Sequence, residues 1–177
     1  MFPLTAHNSD VYYPSVKISE GVEWGIHCVT VLALVPPPTA LPAGRLAEYH
    51  GVPPAYLAKH LQALSRAGIV ESVAGPKGGY RLARPAREIT MLEVVVAIDG
   101  SEPAFRCTEI RRRGPSAVGP EGYPLPCGIA RAMWAAEDAW RAELAKRTIA
   151  DLVMGIAVDA DPVAVEKAVT WFGEVMR

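Results

Sequence analysis

The sequence has few cysteines, little net charge and no long apolar run, and these shortages exclude several classes of protein. The longest apolar stretch, residues 28–35, has eight residues in a chain of 177, whereas a membrane-spanning helix needs roughly 20. No basic segment precedes that stretch, as it would in a secretory signal. Three cysteines, an odd number, do not form the disulfide framework of a small secreted domain. The sequence therefore predicts a folded cytoplasmic protein with no membrane partner.

The net charge of −1 hides a basic segment. Residues 43–87 carry seven Lys and Arg side chains against two Glu, a surplus of +5, so the rest of the chain carries −6. A basic segment inside an otherwise acidic protein is the electrostatic footprint of a module that contacts phosphates. This distribution indicates nucleic acid as a partner.

The spacing of apolar residues and breakers predicts a mainly α fold with a small β wing. Helical patterns occupy about 19–35, 43–50, 54–67 and 91–98. The second and third of these, separated by Gly51-Val52-Pro53, form a helix-turn-helix. Strands at 69–73 and 80–83 enclose a glycine-rich turn, as in a wing. Thr90 and Glu93 are spaced as a capping box for the next helix.

The second half is predicted to hold an irregular loop and a long helix. The predicted irregular loop spans residues 101–127 and is rich in proline and glycine. An irregular stretch of this length inside a compact protein is usually functional or disordered, and we interpret this one as functional. The long helix carries an apolar stripe, including Met133, Trp140 and Leu144, that is broad enough to bury against a partner. Asp161 and Pro162 are typical of the start of a short final helix. The predicted segments are a flexible extension (1–15), a winged helix-turn-helix (16–100), a sensor loop (101–127), a dimerisation helix (128–153) and a C-terminal tail (154–177).

The second helix of the helix-turn-helix presents a polar face that fits a DNA groove. Its leucines point inward, so the candidates for DNA contact lie opposite and beside them: Ala55, Tyr56, Lys59, His60, Gln62 and Arg66. The first residues of a recognition helix enter the major groove, which favours Tyr56 and Lys59. In the wing, Gly78 permits close backbone approach, while Lys77 and Arg81 supply charge. The alternative is a winged helix that binds protein and has a solvated basic face.

Residues 52–100, and above all AGIVESVAGPKGGYRLARP, resemble the Rrf2 family of bacterial transcription regulators, of the iron–sulfur type that includes IscR and NsrR. With the first helix and the long helix, the resemblance covers roughly residues 17–153. It implies a homodimer that pairs through the long helix and binds an inverted repeat in double-stranded DNA, with no small-molecule substrate. No nucleophile, base and orienting group can be assembled from these motifs, so no enzymatic activity is predicted.

The resemblance also implies a 2Fe-2S cluster that senses redox state or nitric oxide, but the chain departs from the family's three closely spaced cysteines. Only Cys107 and Cys127 flank the loop, and two thiolates do not complete a four-ligand cluster. Glu23 and His27 share a face of helix one, which in this family lies near the partner's sensor loop, so they are the candidates for the other ligands. Cys28 is predicted to be a core thiol. A Cys107–Cys127 disulfide, or zinc on the same four groups, is the alternative.

Overall fold

The computed structural model describes residues 18–176, and within them the chain forms seven α-helices and one two-stranded sheet. The predicted extension over residues 1–15 lies outside this range. The helices are α1 Glu20–Leu34, α2 Ala43–His50, α3 Pro54–Arg66, α4 Met91–Asp99, α5 Gly128–Ala145, α6 Ile149–Asp159 and α7 Pro162–Val175, and the strands are β1 Val70–Val73 and β2 Gly79–Leu82. No helix in this range combines the length and apolarity that crossing a bilayer would require. The predicted mainly α fold with a small β wing is confirmed.

The helix-turn-helix and wing follow from a few backbone-setting residues. Gly51 ends α2 at φ 64° and ψ 31°, a left-handed conformation that glycine adopts without strain. The wing strands pair antiparallel, and Tyr80 also exchanges backbone hydrogen bonds with Leu41, at 2.9 and 2.8 Å. A Cβ on Gly79 would lie 2.3 Å from the backbone of Leu41. Only glycine therefore lets the wing approach the segment that leads into α2.

The core forms around α1, which packs against α3, α4 and α6. Leu57, Leu61 and Leu64 of α3 have no exposed surface, as their spacing predicts. The other residues with no exposed surface lie in α1, in and just before α2, in and just before α4, and at the starts of α5 and α6: Cys28, Val29, Leu41, Leu46, Ile89, Val94, Ala130 and Ile149. Because the inward face of α3 is fully used by the core, its opposite face is free for another molecule.

The single helix predicted over residues 128–153 is wrong, because the chain breaks into α5 and α6. Thr148 Oγ1 accepts a hydrogen bond from the Asp151 backbone N–H at 3.2 Å, and the Asp151 carboxylate accepts from the Thr148 N–H at 2.8 Å. This capping box starts a new helix. The break is docked on the core, since Ile149 is fully buried and its N–H donates to the Ile89 carbonyl at 2.9 Å.

The final helix, α7, begins where the sequence predicts. Asp161 Oδ1 accepts from the backbone N–H groups of Val163 and Ala164, at 2.8 and 3.2 Å. At the other end of α7, the rings of Trp171 and Phe172 pack against Tyr49 of α2, with centroids 4.7 and 5.6 Å away. The C-terminal helix is thereby tied to the helix-turn-helix.

Candidate DNA-binding face and sensor loop

The exposed face of α3 carries most of the side chains predicted to contact DNA. Five are solvent-exposed: Ala55, Tyr56, Lys59, Gln62 and Arg66. Tyr56 is 65% exposed, unusual for so large a ring in a folded domain. Tyr56 lies in the first turn of the helix and Lys59 follows one turn later. This arrangement presents a ring and an ammonium group to the solvent side of α3.

His60 differs from the other residues of the predicted DNA-contacting set. Its ring is half-buried and makes an edge contact with Trp24 of α1, with centroids 6.0 Å apart. A Cβ on Gly21 would lie 2.3 Å from the same ring, so the glycine leaves the space that the imidazole fills. His60 therefore joins α3 to α1, and its contact with DNA stays a prediction.

The wing residues divide into one exposed cation and two structural residues. Lys77 is exposed at the tip. A Cβ on Gly78 would lie 2.2 Å from the Val73 carbonyl oxygen, so this glycine is needed to close the turn. Arg81 pairs with Glu71 of the facing strand at 2.6 Å and donates to the Pro38 carbonyl at 3.2 Å. Arg81 thus braces the wing, and part of the charge predicted for phosphates is neutralised within the protein.

The irregular loop places the Cys107 thiol and the backbone of Cys127, from its opposite ends, beside one carboxylate. Cys107 and Cys127 are free and half-buried. Oε1 of Glu109 lies 3.9 Å from Cys107 Sγ and 3.4 Å from the backbone nitrogen of Cys127. Cys127 is the N-cap of α5, where the N–H groups of Ala130 and Ile129 hold the pKa of its thiol below the ordinary value. Both predicted thiol ligands therefore border one small region.

Glu109 itself was missed by sequence reasoning. It forms an ion pair with Arg111 at 2.7 Å, and this guanidinium lowers the pKa of the Glu109 carboxyl. Arg111 in turn donates to the Leu125 carbonyl at 2.6 Å and lies over the ring of Tyr123. The available signal was a glutamate, an isoleucine and three consecutive arginines inside a loop bounded by cysteines.

Glu23 and His27 are both exposed on α1. The His27 ring lies 5.6 Å from that of His50 on α2. Across residues 18–176, no three His, Cys, Asp or Glu side chains are grouped as they would be around a metal ion. Within the described residues, the structure thus places no third side chain of these types with Cys107 and Cys127, and Glu23 and His27 of the other chain stay the predicted ligands.

Cys28 differs from the other two cysteines because it has no exposed surface, and burial raises the pKa of its thiol to about 12. We expect iodoacetamide at pH 8 to modify Cys107 and Cys127 in the native, metal-free protein and to leave Cys28 unmodified until denaturant is added. Peptide mass spectrometry after each treatment measures this directly. Modification of Cys28 in the native state at a comparable rate would contradict its place in the core.

Helix α5 has an open apolar face. Ala130 is the one buried residue among its 18, and Ile129, Met133 and Trp134 are 68%, 44% and 38% exposed. The predicted interface residues Trp140 and Leu144 are instead half-buried. Trp140 borders a cavity shared with α4 of the same chain. The most exposed apolar side chains of α5 therefore lie in its N-terminal half, around Met133, while an interface that includes Trp140 and Leu144 stays a prediction.

Comparison with known proteins gives a consistent picture. The Rrf2 family, described as "Iron-dependent Transcriptional regulator", matches residues 18–155. "Protein aau3" of Rhizobium meliloti is 40% identical over 110 residues, which cover 61% of this chain and 66% of that protein. "HTH-type transcriptional regulator IscR" of Photorhabdus laumondii is 40% identical over 67 residues, 38% of this chain and 41% of that protein. The chain thus matches less than two thirds of the length of these relatives.

A solved structure supports the fold. The structure of CymR, "the Global Cysteine Regulator of B. subtilis", has a TM-score of 0.62 and 22% identity, and the match covers 78% of this chain and 96% of that one. At this identity, the likeness establishes a shared fold. Helix α7, which begins at Pro162, lies beyond the part of the chain that the family match covers.

Proposed function

The chain belongs to the Rrf2 family of transcriptional regulators, and from this premise we propose that it is a homodimeric, sequence-specific DNA-binding protein whose operator affinity is controlled by a 2Fe-2S cluster responding to redox state or nitric oxide. It is a regulator and not an enzyme. The observation that carries the sensing role is the placement of two free thiols, Cys107 and Cys127, in one loop at the start of α5. A protein that regulates bacterial genes works in the cytoplasm.

The DNA-binding role assigns α3 to the major groove and the wing to the flanking backbone. The exposed face of α3 supplies Tyr56, Lys59 and Gln62 for base edges or phosphates. Lys77 at the wing tip supplies charge for a phosphate. A dimer with two-fold symmetry presents two such units, so its operator is an inverted repeat.

Replacing Lys59 and replacing Lys77 with alanine should change DNA binding in different ways. We expect Lys77→Ala to weaken binding to all duplexes alike and to lower the slope of log K against log salt by about 1, because one phosphate contact is lost. Lys59→Ala should reduce the preference for operator over random DNA, by about 1–3 kcal/mol if the ammonium reads a base. The control is Lys146→Ala, because the Lys146 side chain is 69% exposed and lies outside the basic segment. Wild-type affinity in both test variants, measured by fluorescence anisotropy, would contradict the assignment of this face.

The proposed cluster ligands are Cys107 and Cys127 of one chain with Glu23 and His27 of the other. When bound, a 2Fe-2S cluster supplies one-electron redox chemistry and a target for nitric oxide. Imidazole in place of a thiolate raises the reduction potential, and a carboxylate oxygen favours ferric over ferrous iron. These four side chains would join α1 of one chain to the sensor loop of the other. Because Trp24, next to Glu23, contacts His60 on α3, the position of α1 also affects the recognition helix.

A cluster-free switch is the second candidate. The same two thiols, both free and half-buried, could form a disulfide or bind zinc. An adaptor that binds protein through its winged helix is a further alternative, which a salt-dependent mobility shift on genomic fragments would exclude.

The test of the proposed function is operator affinity, measured for the anaerobically purified protein and for the same protein after removal of iron. We expect a change of at least about tenfold, since coupling free energies between sites are typically 1–3 kcal/mol. Equal affinities would contradict control by a cluster.

A further inference from the structure

Glu109 has an unusual backbone conformation. At φ 51° and ψ 48°, it is the one non-glycine residue with a positive φ in the part of the chain that the structure describes. A β-carbon makes this left-handed region unfavourable, so such residues persist only where their surroundings hold them. The surroundings of Glu109 are the two ends of the sensor loop.

Glu109 contacts both cysteines. Its backbone N–H donates to Cys107 Sγ at 3.4 Å. Its Oε1 accepts from the Cys127 N–H at 3.4 Å and lies 3.9 Å from Cys107 Sγ. One residue therefore links positions that are separated by nineteen others in the chain. The left-handed turn directs the side chain back across that separation.

Arg111 fixes the side chain of Glu109 from the other side. Its guanidinium pairs with the carboxylate, at 2.7 Å to Oε2, and both side chains are only about 30% exposed. The same guanidinium donates to the Leu125 carbonyl at 2.6 Å, and Tyr123 O–H donates to the Arg111 carbonyl at 2.7 Å. The stretch before Cys127 is thus fastened to the stretch after Cys107. The loop between them has only two short 3-10 turns of its own, so these contacts determine its shape.

We propose that Glu109 and Arg111 form a clamp that sets the separation of the Cys107 and Cys127 thiols before any cofactor binds. Both are positioning residues. Without them, the two ends of the loop would be brought together only when the cofactor binds, and the lost conformational entropy would weaken binding. With the clamp, that entropy is lost when the protein folds, so it does not weaken binding. The inference rests on the proposed function in one respect, that the two thiols act together, and it holds equally for a cluster, zinc or a disulfide.

The opposite charges of Glu109 and Arg111 suit a position close to the two cysteines. A carboxylate beside two sulfur atoms that act as thiolates is unfavourable on its own, because like charges repel. The Arg111 guanidinium offsets it and adds a planar fork that a lysine lacks. Arg112, the neighbouring residue, approaches the same carboxylate only to 3.9 Å and is 49% exposed. Arg112 is therefore a matched control for Arg111.

The test uses metal-free protein and dibromobimane, which becomes fluorescent when it bridges two nearby thiols. The bridging rate is divided by the rate of modification with monobromobimane, which reacts with each thiol separately. We expect Glu109→Ala and Arg111→Gln to lower this ratio about tenfold, as the effective concentration of one thiol at the other falls. Arg112→Gln should change it less than about twofold, and the conservative variants Glu109→Gln and Arg111→Lys should lie between these results and wild type.

Unchanged bridging in Glu109→Ala and Arg111→Gln would overturn the clamp. So would an equal fall in the bridging and single-modification rates, because that result reports accessibility rather than spacing. If Glu109→Ala fails to fold, Glu109→Gln and Arg111→Lys decide the matter. Iron content separates the clamp from the proposed cluster. If the variants change the bridging ratio as expected but the wild-type protein never binds iron, the clamp is supported and the cluster is contradicted. Iron binding with unchanged bridging contradicts the clamp alone.

Discussion

Replacing either Cys107 or Cys127 with alanine should abolish the visible absorption of the anaerobically purified protein, to below about a tenth of wild type, because they are the two thiolates among the four proposed cluster ligands and water replaces a thiolate poorly. Cys28→Ala should leave the absorption nearly intact, since Cys28 is fully buried in the core. His27→Ala should shift the spectrum or speed cluster loss. Glu23→Ala should do less, because another oxygen ligand can take its place.

The order of these effects is the informative result. Absorbance per folded protein, with circular dichroism to verify folding, makes the variants comparable. A cluster that survives both His27→Ala and Glu23→Ala unchanged but is lost in Cys28→Ala would make Cys28 the third thiolate. That outcome would contradict the ligand set drawn from two chains.

Replacing Ile129 and Met133 together with Glu should convert the proposed dimer to monomers at micromolar concentration. Burying two unpaired carboxylates at an interface costs several kcal/mol. The monomer retains its recognition helix but contacts one half-site, so affinity for the full inverted repeat should fall by at least about 100-fold. Sedimentation velocity measures the first effect, and fluorescence anisotropy with full and half operators measures the second.

Val158→Glu is the matched control for that pair, because Val158 is an apolar residue on α6 that is 83% exposed. It should remain dimeric and bind the full operator normally. Trp140→Glu is unsuitable, since Trp140 is half-buried against its own chain. A double variant of Ile129 and Met133 that still sediments as a dimer would place the interface on another surface.

The helix-turn-helix and wing could be predicted because short-range signals define them. Gly51 and Pro54 mark the turn, the leucines of α3 repeat at helical spacing, and the wing turn requires Gly78. The break between α5 and α6 carried the same kind of signal, a Thr148–Asp151 capping box. The apolar stripe that continues through it concealed the break.

Side chains at the edges of helices were harder to predict, because distant residues decide where they point. Periodicity places His60 at the border of the α3 surface, and the space above Gly21, far away in sequence, turns it inward. Arg81 is likewise neutralised by Glu71 across the sheet. In the sensor loop, residue type indicated the two cysteines, but no periodic pattern could reveal the Glu109–Arg111 pair that connects them.

The most direct test of the central claim is elemental: iron, zinc and acid-labile sulfide, counted per chain alongside the visible spectrum of anaerobically purified protein. We expect about two iron atoms and two sulfides per chain, with the absorption of a 2Fe-2S cluster. Zinc without sulfide, or metal-free protein with Cys107 and Cys127 joined in a disulfide, would contradict the account.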